Sequence, residues 1–329
     1  MNKPQQAYTN FPGPKIEGPT KISFLGPFGT FTEQALWQVA PAGAEIIPCT
    51  GVAQALDAVR EGRAHRAVVP IENSIEGGVN ATLDALSHGS PLVIVAEMVV
   101  EVSFELAVKP RPDGSLPEVT RIGTHPHAWA QCRGWAAKTF PDAIHVPATS
   151  TAAAAQLLAE DDNPGFDAAL CARTSVKRYG LHAMHSSVAD NKGAVTRFVM
   201  VAPLGSVPPP TGADKTTVQV RLPDNEAGAL LSMLEQFSVR GVNLSRIESR
   251  PAGGPLGSYA FSIDIEGHVQ DERVRAAMVG LHRTCPEVRF IGSYPRVDGH
   301  RPLIQDGTRD EDFVDGRAWI DRVLLGEAN

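Results

Sequence analysis

Three short polar segments carry much of the chain's chemistry, and each stands where a helix would begin. GPFGTFT (26–32) leaves backbone N–H groups free and adds the hydroxyls of Thr30 and Thr32. IENSIEGG (71–78) puts Asn73 and Ser74 directly after an apolar run, with Glu72 and Glu76 beside them. ATSTAA (148–153) places Ser150 and Thr151 ahead of an alanine-rich stretch. The first N–H groups of a helix lack intrahelical acceptors and sit at the positive end of its dipole, so such ends bind carboxylates and phosphates. One segment of this kind is ordinarily a cap. Three in one region point to a pocket for a small anion.

Several other chemistries fail on the spacing. A dinucleotide fingerprint needs a glycine where the first segment has Phe28, and no G-x-x-x-x-G-K-[ST] follows. His125 with His127, and His182 with His185, lack a nearby third ligand, so no metal site is expected. No G-x-S-x-G elbow supports an acyl-transfer serine.

The segments need a scaffold, and the apolar pattern supplies one. KISFLG (21–26) reads as a buried strand ending in a glycine turn, then a helix with Thr30 as N-cap and Glu33 at the capping-box position. A helix over 51–61, a strand AVVPIE (67–72) and a helix carrying Val79, Thr82, Leu83 and Leu86 follow. PLVIVAEMVVEV (91–102) and FELAVK (104–109) are β-like. Pro126 suits a first helical turn, Ser150 or Thr151 opens another helix, and AALCA (168–172) and TRFVMVA (196–202) read as strands. This alternation predicts α/β layers, with two lobes and a cleft between them. GSVPPPTGADK (205–215) is the best linker candidate. Beyond it the order becomes strand (TTVQVRL), helix (227–238, with Leu230, Leu231, Leu234 and Phe237 inward), strand (LSRIESR) and a GGPLG turn. Strand SYAFSIDIEG, a helix over 271–283 and strand VRFIGSY complete a ferredoxin-like βαββαβ module. A helix-like end, DFVDGRAWIDRVLL, closes the chain.

Composition bounds the rest. The 329 residues are 43% apolar and 20% charged, with 30 Lys plus Arg against 37 Asp plus Glu, a net charge of -7. That suits two globular domains and disfavours nucleic acid as a partner. Four cysteines, far apart, argue for a reducing compartment without disulfides. No apolar run reaches the ~18 residues of a membrane span, and the first twenty residues read as a loose tail. A cytoplasmic protein with no membrane partner is expected.

GPFGTFTEQA (26–35), VPIENSIEGGV (69–79), HPHAWAQC (125–132), STAAAA (150–155) and TRF (196–198) resemble, in the same order, the motifs of prephenate dehydratases. ALLSML (229–234) after Gly228, and IESRP (247–251), resemble the phenylalanine-binding motifs of that family's ACT domain. The resemblance spans residues 21 to 297 and departs from the family at His127, where Gln is frequent, at Ala194, where Asn is frequent, and at Ala227, where Pro is frequent. It implies a two-lobed, periplasmic-binding-protein-like catalytic domain over 21–204, a linker over 205–214, an ACT domain over 215–297 and a C-terminal extension over 298–329. It also implies decarboxylating dehydration of prephenate to phenylpyruvate without a cofactor, and phenylalanine as effector of a homodimer or homotetramer. Carried over, Thr196 is the catalytic acid, supported by Ser74 or Glu72. Thr30, Phe31, Asn73, Ser74, Ser150 and Thr151 are expected at the substrate. Arg197 is expected on its side-chain carboxylate, unless it forms a structural ion pair, and Phe198 is a wall for the ring or simply core. Gly228, Ala229, Leu230, Asn243, Leu244, Glu248, Ser249, Arg250 and Pro251 are implied at the effector. Two competing readings are arogenate dehydratase, which needs an acidic partner for an ammonium, and a non-catalytic amino-acid-sensing binding protein.

Overall fold

Ile22, Ser23 and Phe24 are all buried, so KISFL becomes an interior strand, β1 (Lys21–Leu25), of a computed structural model that describes residues 19–222, 227–251 and 259–327. The first eighteen residues of the expected tail and the GGPLG turn lie outside the described residues. After β1 come α1 (Phe31–Leu36), β2 (Glu45–Cys49), α2 (Val52–Arg60), β3 (Arg66–Asn73), β4 (Gly77–Gly78) and α3 (Asn80–Ser87). Next are β5 (Leu92–Glu101), β6 (Glu105–Val108), β7 (Arg121–Thr124), α4 (Pro126–Thr139), β8 (Ile144–Pro147) and α5 (Thr151–Glu160). Then follow β9 (Ala168–Cys171), α6 (Arg173–Arg178), β10 (His182–His185) and β11 (Val195–Pro203). The last third holds β12 (Asp214–Arg221), α7 (Ala229–Ser238), β13 (Leu244–Pro251), β14 (Tyr259–Glu266), α8 (Glu272–Thr284), β15 (Glu287–Pro295) and α9 (Asp310–Leu324).

The chain divides into two compact units that interleave in sequence. One takes the described residues up to Thr82 together with Met98–Met200; the other takes Leu83–Glu97 and the described residues from Val201 onward. The first unit contains two sheets. In one, β1 lies between β2 and β3 and runs parallel to both, while β4 folds back on β3. The other has the order β10-β6-β9-β7-β8, with β7 parallel to β8 and β9. Leu106, Val108, Ile122, Ala128, Cys132 and Leu170 form its core under α4. Helix starts carry the predicted caps. Thr30 accepts from the Glu33 amide, Ser150 accepts from the Ala153 amide at 2.9 Å, and Pro126 follows the N-cap His125.

In the second unit, β13-β14-β12-β15 is the ferredoxin-like strand order, antiparallel throughout. Val218, Val220, Ile263 and Ile265 form a core with Met233 and Phe237 of α7 and Val274, Ala277 and Leu281 of α8. The expected inward stripe of α7 needs correction. Leu230 and Leu231 are exposed, and Met233 with Phe237 one turn later carries the packing. Leu231 lies roughly 200° around the helix from Met233, and Leu230 sits in the first turn. The proline-rich stretch is fastened at two points. Pro208 O meets His268 Nε2 at 3.0 Å, and the Asp214 carboxylate accepts from the Thr211 and Gly212 amides. Glu97, 2% exposed, accepts from Lys215 Nζ and from the Val297 amide, both at 3.0 Å. No residue of α9 is buried; Arg317 ties it to Glu272 at 2.9 Å.

Candidate functional site

The loop after β3 is held so that its side chains face one cavity. Asn73 Oδ1 accepts from the Ile75 and Glu76 amides at 2.9 and 3.2 Å, an Asx-type turn that fixes the amide plane. With the oxygen so engaged, the Asn73 Nδ2 group must point the other way, and it donates to Thr196 Oγ1 at 2.8 Å. Ser74 stitches the same loop to β11: its amide donates to Val195 O at 2.9 Å and its Oγ accepts from the Val195 amide at 3.0 Å.

A cavity of about 370 Å³ lies against this contact. Thr30, Phe31, Asn73, Ser150, Thr151, Thr196 and Phe198 all line it, so seven of the nine residues expected at catalysis and substrate meet there. Two do not. Ser74 is spent on the β11 backbone, and Arg197 turns away because side chains alternate along a strand. Thr196 and Phe198 face the cavity; Arg197 between them meets Glu72, Nε to Oε2 3.0 Å, with 9% of its side chain exposed. The structural ion pair that was the alternative for Arg197 is thus the geometry present.

Other lining groups lie outside the residues expected at the substrate. Val102 and Phe104 add an apolar wall, with Phe31 edge-on to Phe104 at 5.7 Å. His125 caps α4 and accepts from the His127 amide at Nδ1, 3.3 Å away. Burial, then the neighbouring His127, holds its imidazole below the usual histidine range, which favours the neutral ring. Glu76 reaches α4 twice, to His127 Nδ1 at 3.1 Å and from Gln131 Nε2 at 3.3 Å. The sequence signal for His125, His127 and Gln131 is the polar face of HPHAWAQ, and for Glu76 the IENSIEGG segment. Ala194, the other departure, is buried, and its carbonyl accepts from the Val102 amide at 2.7 Å. Among the described residues, the lining holds no Lys or Arg, and Glu76 is its one carboxylate. An anion there would rely on backbone N–H groups at the starts of α4 and α5 and on threonine hydroxyls. Among the described residues no group of three or more metal-ligating side chains exists.

The residues expected at an effector are dispersed in the single chain. Gly228, with φ +89°, is the N-cap of α7, where any side chain would be strained. Asn243 and Leu244 line a cavity with Phe237, Glu266 and His300. On β13 the side chains alternate: Ser249 pairs with Phe261 on the helix-covered face, whereas Glu248 and Arg250 pair with Ser262 and Ala260 on the other. Arg250 and Pro251 line a second cavity, with Asp84, Gln219 and Arg289.

No helix among the described residues is long and apolar enough to cross a membrane. A family model described as prephenate dehydratase matches residues 22–204. A prephenate dehydratase of Amycolatopsis methanolica is 43% identical over 94% of this chain and 99% of its own length. The crystal structure of a prephenate dehydratase from Arthrobacter aurescens in complex with L-Phe is 50% identical, covering 93% of this chain and all of that one, with a TM-score of 0.86. A structure described as a novel type of quorum-quenching acylase is 31% identical over 84% of this chain and 97% of its own, with a TM-score of 0.73.

Proposed function

The chain belongs to the prephenate dehydratase family, and from that membership we propose that its cleft converts prephenate to phenylpyruvate. The ring hydroxyl leaves as water after taking one proton, the ring carboxylate leaves as CO2, and the electron pair of the broken C–C bond completes the aromatic ring. Nothing is oxidised or reduced by an outside reagent, so the chemistry calls for no cofactor. The protein must deliver a proton and shield the departing groups.

The observation that carries this reading is the Asn73–Thr196 contact inside the cleft. An N–H donated to Oγ1 occupies a lone pair and leaves the hydroxyl hydrogen for the substrate. It also stabilises negative charge that grows on the oxygen as the proton leaves, which a free hydroxyl, a weak acid, lacks. Thr196 then regains a proton from solvent when water and CO2 depart. Phe31, Val102, Phe104 and Phe198 suit the ring, and the N–H groups at Ser150–Thr151 and behind His125 suit the carboxylates. A lining without Lys or Arg favours the reaction at the ring carboxylate, because a fixed cation there would stabilise the ground state.

Purified protein should form phenylpyruvate from prephenate. Thr196→Ala should stay folded and lose about 10²–10⁴-fold in kcat with little change in KM. Near-normal turnover by a folded variant would remove Thr196 from the mechanism.

Two observations weigh against arogenate as substrate and against acyl transfer. Arogenate's ammonium would want a carboxylate, and Glu76 is already engaged by His127 and Gln131. Acyl transfer wants a nucleophile beside a base, yet among the described residues no Ser or Thr of the cleft is hydrogen-bonded to a histidine, and the Ser150 hydroxyl serves as a cap. For regulation, the reading extends to an ACT module over 215–297 that takes phenylalanine. It would bind near the start of α7 and along β13, between copies of a cytoplasmic homodimer or homotetramer. The dispersal of those residues in one chain supports a site that a second copy completes, and a similar protein has been solved with L-Phe.

A further inference from the structure

Helix α3 is fixed at its two ends to different parts of the chain. At its start, the Val79 amide donates to Ile71 O at 2.8 Å and the Thr82 hydroxyl donates to Pro70 O, with Thr82 fully buried. Ile71 and Pro70 lie two and three residues before Asn73, whose amide group holds Thr196. At its end, Gln219 Nε2 donates to Leu83 O at 3.0 Å. Arg289 donates to the carbonyls of Ser87 at 3.0 Å and Gly89 at 2.8 Å, filling acceptors that a helix C-terminus leaves open. Arg250 Nη2 meets both oxygens of Asp84 at 2.8 Å.

Three properties make this more than a fastening. Eight residues of helix form a rod of roughly 12 Å, stiff against bending, so a displacement at one end reaches the other. The start is locked to β3 at Pro70 and Ile71, just ahead of Asn73, so it cannot slip without carrying that backbone. The end is held by side chains of the β12–β15 sheet, and one of them, Arg250, stands on the strand expected to meet the effector. Gln219 and Arg289 are contacts to backbone and stay made whatever the charge state of α3. The Asp84 carboxylate is more than half exposed, so its pair with Arg250 can break and re-form at small cost.

We propose that the Arg250–Asp84 pair couples β13 to the catalytic loop, with α3 as the connecting rod. It rests on the reading of 247–251 as an effector segment. Engaged, the pair holds α3 and keeps Asn73 aimed at Thr196; a ligand on β13 that draws Arg250 away releases the rod and loosens the proton donor. Coupling of this kind is reciprocal, so prephenate must alter the affinity for phenylalanine by the same factor.

The test compares wild type, Asp84→Asn and Arg289→Leu in three measurements. These are calorimetric binding of L-phenylalanine, steady-state turnover of prephenate with and without it, and amide exchange at Val79 and Thr82. Asp84→Asn should bind phenylalanine within about twofold of wild type while its effect on prephenate kinetics shrinks about two- to fivefold, the worth of a half-exposed ion pair. Exchange at Val79 and Thr82 should quicken in Asp84→Asn, and more so in Arg289→Leu. An undiminished phenylalanine response in Asp84→Asn overturns the proposal. If wild type does not respond to phenylalanine at all, the effector reading falls and exchange alone decides the rod: quicker exchange in Asp84→Asn supports it, and unchanged exchange at both amides in both variants overturns it.

Discussion

Asn73 and Thr196 share one hydrogen bond, and kinetics should show them acting as a unit. Asn73→Ala removes the donor that steadies the Thr196 oxygen, so kcat should fall by about 10–100-fold, the range of one charge-developing hydrogen bond. In a Thr196→Ala background the same change should cost little more, because groups that act together are not additive. Equal fold-losses in both backgrounds would show that Asn73 serves something other than Thr196. The residue types at this site were legible in the sequence, since a helix start or a strand end announces Thr30, Asn73 and Ser150. Directions were harder. TRF offers a hydroxyl, a guanidinium and a ring in a row, but a strand can show only alternate members to one face, which gives Arg197 to Glu72. Ser74 was lost for another reason: its backbone partner, Val195, is 121 residues away and no local pattern reveals it.

Elements with an unbroken apolar signal were legible, the four-residue β9 (AALC) among them, and short ones of mixed polarity were not. β2 (EIIPC), β8 (IHVP) and β10 (HAMH) are four or five residues long and mixed in polarity, so only their neighbours in the sheet make them strands. β15 contains a feature that sequence cannot show at all. Gly292 has φ +151°, and a Cβ there would meet the backbone nitrogen of Ile94 at 2.6 Å as well as its carbonyl oxygen. It is the residue through which β15 pairs with β5, beside a register shift opposite Thr217 and Val218. Gly292→Ala combines a strained dihedral with a backbone collision that no rotamer change relieves, at a cost of about 2–4 kcal/mol. Thermal melting should fall by about 4–16 °C. Gly299→Ala, at φ +63° with open space around it, is the control for strain alone and should lose less. Equal losses would mean that the approach of β5 to β15 is not tight.

At the scale of the whole molecule, acid should reach the second unit through Asp298. Hydrogen bonds from Arg296 hold its carboxyl down to about 2, against an ordinary 3.8. A depressed carboxylate contributes stability above its unfolded value, and that contribution is lost as pH falls from about 4 toward 2. Asp298→Asn should therefore flatten the acid limb of a melting-temperature profile in that window and leave the slope above pH 5 unchanged. An unaltered acid limb would assign it to other carboxylates.

Glu97 has a consequence for how the chain comes into being. Its partner Lys215 is 118 residues downstream and its second partner, the Val297 amide, 200. A ribosome adding about 5–20 residues per second takes roughly 6–24 s to make the first of them. Through that interval the strand LVIVAE has been synthesised while β15, its neighbour in the second unit, has not. A newborn chain therefore displays an apolar strand edge with a carboxylate at its end, and only translation itself can cover it. Leu92–Glu97 is therefore a stretch on which a holdase that guards nascent chains is expected to act, before the cleft has anything to bind.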